Sequence, residues 1–194
     1  MHRHRTVLAL ACLLTLGAAT VAFGGGRDDR HGNRPGWHHK HDGRSAAAKL
    51  VDADGDRVGR VWLEQHGRDG TVTVFARVRG LPPGFHGFHI HTTGACEPPD
   101  FMSAGGHFNP TGAPHGDHAG DLPTLLVNED GTGVLAAATD RFTLRDLRDA
   151  DGSAVMVHEL ADNYANIPAR YGGPDAETLS AGDAGSRLAC GVVR

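Results

Sequence analysis

The sequence is poor in cysteine, and this narrows the chemistry that it can perform. Its three cysteines are Cys12, Cys96 and Cys190, and no two of them form the C-x-x-C pair of thiol–disulfide oxidoreductases. Cys12 lies within a run that we assign below to an export signal, so two cysteines remain in the mature chain. Because exported proteins meet an oxidising environment, we expect Cys96 and Cys190 to form one disulfide; two free thiols are the less favoured alternative.

The chain also lacks an apolar run long enough to span a membrane. Residues 6–21 are uncharged, apolar or small, follow Arg3 and Arg5, and are soon interrupted by three glycines. A spanning helix needs roughly 20 apolar residues, so this pattern is typical of a signal peptide. We therefore assign residues 1–22, with an approximate end, to a signal peptide, although a lipid anchor at Cys12 stays open. This predicts no membrane span and an extracellular, cell-envelope or periplasmic location.

Positive charge is scarce in the larger part of the chain. Residues 45–194 contain 12 Arg/Lys against 20 Asp/Glu, a net charge of −8, and Lys49 is the only lysine among them. Such an acidic domain argues against a nucleic-acid partner. An anionic substrate would need local positive charge to overcome this field.

The segment before this domain has a different composition. Residues 23–44 carry a net charge of +2, are rich in Gly, Arg, Asp and His, and show no apolar periodicity. We interpret them as a disordered, His-rich leader. Its histidines could hold a metal ion weakly and act as a copper donor, or they could belong to a solvated linker, and the sequence leaves both open. They are His31, His38, His39 and His41.

Helical periodicity is also missing from residues 45–194, where short alternating stretches are separated by turn residues. Residues 71–79, for example, place every second apolar side chain on one face. About eight such strands are interrupted by two long irregular segments, near 93–120 and 160–187, and loops of this length usually serve a function. We therefore predict an all-β domain over residues 45–194, an eight-stranded antiparallel Greek-key barrel or sandwich with two long functional loops.

Histidine clusters at several points of this predicted domain. Side chains two apart on a strand point the same way, so His89 and His91 in "HGFHIH" would present two imidazoles on one rigid surface. His86, in the same stretch, is expected to be structural. His158 follows an apolar run and could close a cluster with His89 and His91, although alone it is more often a strand end. An H-x-H pair by itself is weak evidence for a metal site.

A second set of ligand types lies in the first long loop. His107, His115, His118 and Asp121 fall within fifteen residues, among Gly and Pro, and would make an N₃O site suited to Zn²⁺. Asp117 is a competing carboxylate, and a polar surface loop without function is the alternative. If one loop histidine joined both sets, two metal ions would share a ligand.

Five motifs carry a resemblance to a known family. They are "GFHIH", "SAGGHFNP", "HAGD", "VHE" with "AD" shortly after it, and "GDAGSRLACGV". Over roughly residues 46–193, in this order and with this spacing, the chain resembles the copper–zinc superoxide dismutases. The resemblance implies dismutation of superoxide to molecular oxygen and hydrogen peroxide by a redox-cycling copper ion. That ion would be bridged through a histidine imidazolate to a structural zinc ion, with one ion of each metal per chain.

The resemblance also assigns roles to individual residues. Copper would bind His89, His91, His107 and His158, and zinc would bind His107, His115, His118 and Asp121. His107 would be the bridge and would release and accept a proton. Asp162 would hydrogen-bond one ligand imidazole from each metal site, and Arg187 would guide the superoxide anion. The disulfide would tie the first long loop to the last strand. The family contains monomers and dimers, so a homodimer stays open.

The chain departs from the family pattern in a few places. Many members have a threonine in the second long loop, where this sequence has Ala181, and lysine is unusually scarce. Two other functions stay open on the sequence alone. A non-catalytic copper-delivery module would be expected to lack a copper ligand or the arginine. A zinc hydrolase would need an open zinc position, whereas four protein ligands would close this one.

Overall fold

The computed structural model describes residues 44–68 and 70–194. The predicted signal peptide and all but the last residue of the predicted leader lie outside the described residues. Within the described part of the chain, no helix is both long and apolar enough to cross a membrane.

In the described residues, nine antiparallel strands make up a single sheet. They are β1 (Ser45–Asp52), β2 (Arg57–Gln65), β3 (Val72–Val78), β4 (Gly84–His86), β5 (Phe88–His91), β6 (Leu125–Val127), β7 (Gly133–Thr139), β8 (Ala154–His158) and β9 (Arg187–Val192). Their order across the sheet is β4-β6-β7-β3-β2-β1-β9-β8-β5. The two edge strands, β4 and β5, follow each other in the chain with only Gly87 between them, so the edges meet and the sheet is a nearly closed barrel. The predicted all-β antiparallel class is confirmed.

The strand count differs from the prediction because the stretch around Gly87 is two strands, not one. β4 pairs with β6, whereas β5 pairs with β8. At the junction, the Gly87 N–H donates to the Leu160 carbonyl at 2.7 Å, and the Gly87 carbonyl accepts from the His158 N–H at 2.8 Å. A Cβ at residue 87 would lie 2.8 Å from the Ala184 Cβ, so only glycine fits this crossing.

The alternating side chains fill the barrel as the pattern predicts. On β3, Val72, Val74, Ala76 and Val78 are all buried, while the residues between them face outward. A smaller apolar cluster, containing Phe101 and Met156, packs around the Cys96–Cys190 disulfide. The disulfide forms as predicted and joins the first long loop to β9.

The long loops carry little regular structure. The first contains the short 3₁₀ turn Met102–Ala104, and the second contains another, Ala169–Tyr171, and the helix α1 (Ala176–Ala181). The sequence showed no helix signal here because six residues are too short to display a helical period. Asp175 caps the helix by accepting a hydrogen bond from the Thr178 N–H at 2.9 Å.

Candidate metal centre

Two neighbouring strands and the first long loop bring four histidines together. His89 and His91 lie on β5, and His158 ends β8, which pairs with β5. His107 forms an isolated β-bridge with His91. Each ring offers one nitrogen, and these four nitrogens lie within 4.8 Å of one another. The set predicted for copper is therefore assembled in one place.

The set predicted for zinc is assembled beside it. His107, His115, His118 and Asp121 each offer one ligand atom, and these atoms also lie within 4.8 Å of one another. His107 Nδ1 is 2.9 Å from Asp121 Oδ1 and 3.4 Å from His118 Nδ1. Asp117, the competing carboxylate, lies outside both sets: it is exposed and 3.4 Å from the Arg141 guanidinium.

His107 belongs to both sets. Its Nδ1 faces the zinc set, as its contacts with Asp121 and His118 show. Its ring centroid is 4.0 Å from that of His89 in the other set. Since an imidazole has nitrogens on two sides, Nε2 remains for the copper set. Among the described residues, His107 is the one member common to both sets, and it is the position that the resemblance gives to the bridging ligand.

Two buried nitrogens without partners test whether the residues fit metal ions. Among the described residues, His89 Nδ1 and His115 Nδ1 are buried and make no hydrogen bond. His115 Nδ1 is 3.4 Å from Asp121 Oδ2, but without hydrogen-bond geometry. Leaving such an atom unsatisfied costs about 1–3 kcal/mol, and coordination to a metal ion would satisfy it. Nitrogen ligands suit copper, and an N₃O set suits zinc, so the residues fit both ions.

Asp162 fixes the orientation of both of these rings. Its Oδ2 accepts from His89 Nε2 and its Oδ1 from His115 Nε2, each at 2.8 Å. With the proton held on Nε2, Nδ1 of each ring keeps its lone pair free for a metal ion. Burial raises the pKa of Asp162, but the hydrogen bonds from His115 and His89 outweigh it, and the net pKa lies well below the ordinary value. The carboxylate is therefore charged at neutral pH.

Backbone carbonyls orient two further rings of the copper set. His91 Nδ1 donates to the Gly105 carbonyl at 2.9 Å, and His158 Nδ1 donates to the Gly185 carbonyl at 3.2 Å. This leaves the two Nε2 atoms, 3.3 Å apart, as lone-pair donors. Sequence reasoning missed Gly105 and Gly185, because every residue carries a carbonyl and no side chain marks the ones that bind.

Burial also sets the charge state of three rings of the copper set. It lowers the pKa of His89 from 6.5 to about 4 and that of His158 to about 3. It holds the pKa of His91 well below the ordinary value. These rings are neutral at neutral pH, which is the form that binds a metal ion.

Arg187 lies beside the copper set. Arg187 begins β9, and its guanidinium donates to the carbonyls of Phe101 at 2.6 Å and Gly105 at 2.7 Å. The Gly105 carbonyl therefore holds both the arginine and the ring of His91. Burial lowers the pKa of the Arg187 guanidinium below its ordinary value and the charge of Asp100 partly opposes this, yet the group stays positive.

Arg187 also lines an open cavity of about 510 Å³ together with His91, His107 and His158. Ala181, where many family members have threonine, lies in the same wall. A small molecule entering this cavity would meet the copper set and the guanidinium together.

His86 is separate from both sets. Its ring is buried, with Nδ1 2.8 Å from the His158 carbonyl and Nε2 2.8 Å from the Pro82 carbonyl. The ring therefore ties the loop before β4 to the end of β8, as expected for a structural residue.

Similarity to known proteins agrees with this arrangement. Residues 57–193 match the family model described as copper/zinc superoxide dismutase. The Cu-Zn superoxide dismutase of Mycolicibacterium paratuberculosis is 44% identical over 167 residues, covering 77% of this chain and 74% of that protein. Cu-Zn superoxide dismutase 2 of Aquifex aeolicus is 34% identical over 161 residues, covering 77% of this chain and 86% of that protein.

Solved structures show the same fold. A SOD-like protein from Bacillus subtilis is 33% identical with a TM-score of 0.62, covering 75% of this chain and 96% of that one. The clock protein EA4 is 28% identical with a TM-score of 0.60, covering 77% of this chain and 93% of that one. Because differently named proteins share the fold, the fold alone does not define a role. The family model and the sequence identity do define the family: the chain belongs to the copper/zinc superoxide dismutases.

Proposed function

We propose that the chain dismutes superoxide to molecular oxygen and hydrogen peroxide at the two adjoining metal sites. His89, His91, His107 and His158 would hold copper, and His107, His115, His118 and Asp121 would hold zinc. The observation that carries this assignment is that Nδ1 of His89 and Nδ1 of His115 are buried without a hydrogen-bond partner. The opposite nitrogen of each ring, Nε2, donates to Asp162. When bound, copper supplies one-electron redox chemistry, and zinc, which has none, supplies charge and fixed geometry.

The protein residues supply binding, orientation and a proton. Arg187 provides local positive charge in a domain of net charge −8, and only two of its five N–H donors need serve the Phe101 and Gly105 carbonyls. Superoxide would be drawn into the cavity by this charge and held beside the copper set. His107 Nε2 would take up and give back one of the two protons that peroxide formation needs, since Nδ1 faces the zinc set.

The test of this function is metal analysis of the mature protein combined with a superoxide dismutation assay. We expect one copper and one zinc ion per chain and fast turnover. Zinc alone without turnover would contradict the proposal. Copper-loaded protein that fails to accelerate superoxide decay would favour the copper-delivery alternative.

The bacterial relatives and the disulfide indicate an exported protein. The signal peptide over residues 1–22 stays a proposal. A copper-donor role for the leader histidines lies outside the described residues and stays a prediction, as does a homodimer. Deleting residues 23–44 and measuring copper uptake at limiting copper would test the leader.

Replacing Arg187 with alanine is expected to lower kcat/KM by about tenfold, the lower end of electrostatic steering effects. The dependence of the rate on ionic strength should weaken as well, because the local positive charge is lost. Arg187→Lys should recover part of both. The measurement is the dismutation rate of metal-loaded protein across a salt series. Arg145→Ala, a change at an exposed arginine outside the cavity, is the control. An unchanged rate and salt slope in Arg187→Ala would place the steering elsewhere.

Asp162→Asn is expected to weaken metal binding by about 10–100-fold, as loss of groups that hydrogen-bond metal ligands usually does. The asparagine amide can accept from only one of His89 and His115, and its NH₂ group would face the other ring. Copper and zinc retention against a chelator measures the effect. Asp117→Asn, at an exposed carboxylate outside both sets, is the matched control. Equal retention in the two variants would show that Asp162 does not position the ligands.

A further inference from the structure

A row of basic side chains crosses the outer face of the barrel, on three adjacent strands. The register places Lys49 of β1 opposite Arg60 of β2, and Arg60 opposite Arg77 of β3. Lys49 and Arg77 are exposed and Arg60 is half-buried, while the flanking Val61 and Ala76 point into the core. Like charges directly opposite each other on a sheet are destabilising, so this row lowers the stability of the barrel. Folding alone therefore does not explain why the basic residues are there.

In the part of the chain that the structure describes, none of these cations has an acidic partner. Among the described residues, Lys49, Arg60 and Arg77 lie within ion-pair distance of no carboxylate. The Nε atom of Arg60 is buried without a hydrogen-bond partner, and the guanidinium lies 5.1 Å from the Trp62 ring centroid. No carboxylate of the described residues therefore neutralises the row, and the exposed side chains of Lys49 and Arg77 can meet an external anion.

Two further arginines complete a concave surface. Arg57 and Arg79 join Arg60 and Arg77 around a depression of about 360 Å³, with Gly59 and Thr132 in its lining. With Lys49, this basic face holds five of the 12 Arg/Lys of a domain whose net charge is −8. Arginine is suited to such a site because its planar fork binds phosphate oxygens in pairs.

The aromatic residues beside this face help to define the ligand. Trp62 and Phe75 are cross-strand neighbours with ring centroids 5.6 Å apart, and both are exposed. Arg60 lies over the Trp62 ring, which therefore offers little free face for stacking a nucleobase.

We propose that the basic face, comprising Lys49, Arg57, Arg60, Arg77 and Arg79, binds a phosphodiester-linked polymer that carries no bases, outside the cell membrane. The phosphate groups of one segment occupy the depression and pair with the arginines. The negative charge of the rest of the domain repels a longer stretch, so the contact is short and sensitive to salt. This site is distinct from the metal centre and holds the enzyme at an anionic surface.

The experiment uses the metal-loaded mature chain and a synthetic oligomer of glycerol phosphate as the probe. We expect saturable binding by calorimetry that weakens as salt is raised. The double variant Arg60→Gln/Arg77→Gln should bind roughly tenfold or more weakly, because it loses two charge-assisted contacts. Arg145→Gln, a matched charge change at an exposed arginine that does not line the depression, should bind like the unaltered protein.

Thermal unfolding provides a second readout that a purely structural role would not produce. Without the probe, the double variant should melt at the same temperature as the unaltered protein or higher, since it relieves like-charge repulsion. The probe should raise the melting temperature of the unaltered protein and leave the variant unchanged, and both should retain dismutation activity. Absence of binding overturns the proposal, and so does a loss of affinity in Arg145→Gln equal to that in the double variant. Binding only to phosphatidylglycerol vesicles, or much tighter binding to an oligonucleotide of equal charge, also overturns it.

Discussion

His107→Ala is expected to reduce the dismutation rate of the reconstituted protein by about 100-fold or more. His107 is the only residue common to both ligand sets, so this change leaves three donors in each. Losing a group that merely hydrogen-bonds a ligand costs about 10–100-fold in metal affinity, and losing a shared ligand should cost at least as much. The buried Asp121 carboxylate also loses the ring nitrogen that lies 2.9 Å from its Oδ1.

The measurement combines metal content after dialysis with the dismutation rate. His66→Ala serves as the control, because His66 is exposed, lies outside both ligand sets and has its ring Nε2 2.9 Å from the Thr73 hydroxyl. The control should bind both metals and turn over normally. A His107→Ala protein that keeps both metals and a rate within a few-fold of normal would refute the shared-ligand assignment.

Replacing both disulfide cysteines with alanine is expected to lower the free energy of unfolding by about 4–5 kcal/mol. Cys96 and Cys190 are 94 residues apart, and the loop-entropy model assigns a cross-link of this span a stabilisation of that size. The bond also holds the loop whose Phe101 and Gly105 carbonyls bind Arg187, so activity and metal retention should fall as well.

Chemical denaturation of the metal-loaded protein measures this effect. A thiol reductant provides the internal control, since it should lower the stability of the unaltered protein toward that of the variant and leave the variant unchanged. A loss below about 1 kcal/mol would show that tertiary packing, rather than the cross-link, holds the loop to β9.

Much of the fold followed from the period of the side chains. Alternation along β3 predicted which residues fill the barrel, and the same two-residue period placed His89 and His91 together on β5. The disulfide followed from the cysteine count. The split at Gly87 did not, because a strand that changes partners keeps its local pattern, and only the approach of Ala184 shows why a glycine is needed there.

The metal centre, like the fold, was predicted from the sequence only in part. The sequence alone determined the ligand types, their grouping in motifs and the family resemblance, because these are carried by side-chain chemistry and spacing. Only the tertiary structure decided that the Gly105 and Gly185 carbonyls orient two rings, and it placed the Asp117 carboxylate outside both sets. It also aligned Lys49, Arg60 and Arg77 into one row. These outcomes depend on strand register and loop path, and both are set by packing between residues far apart in the chain.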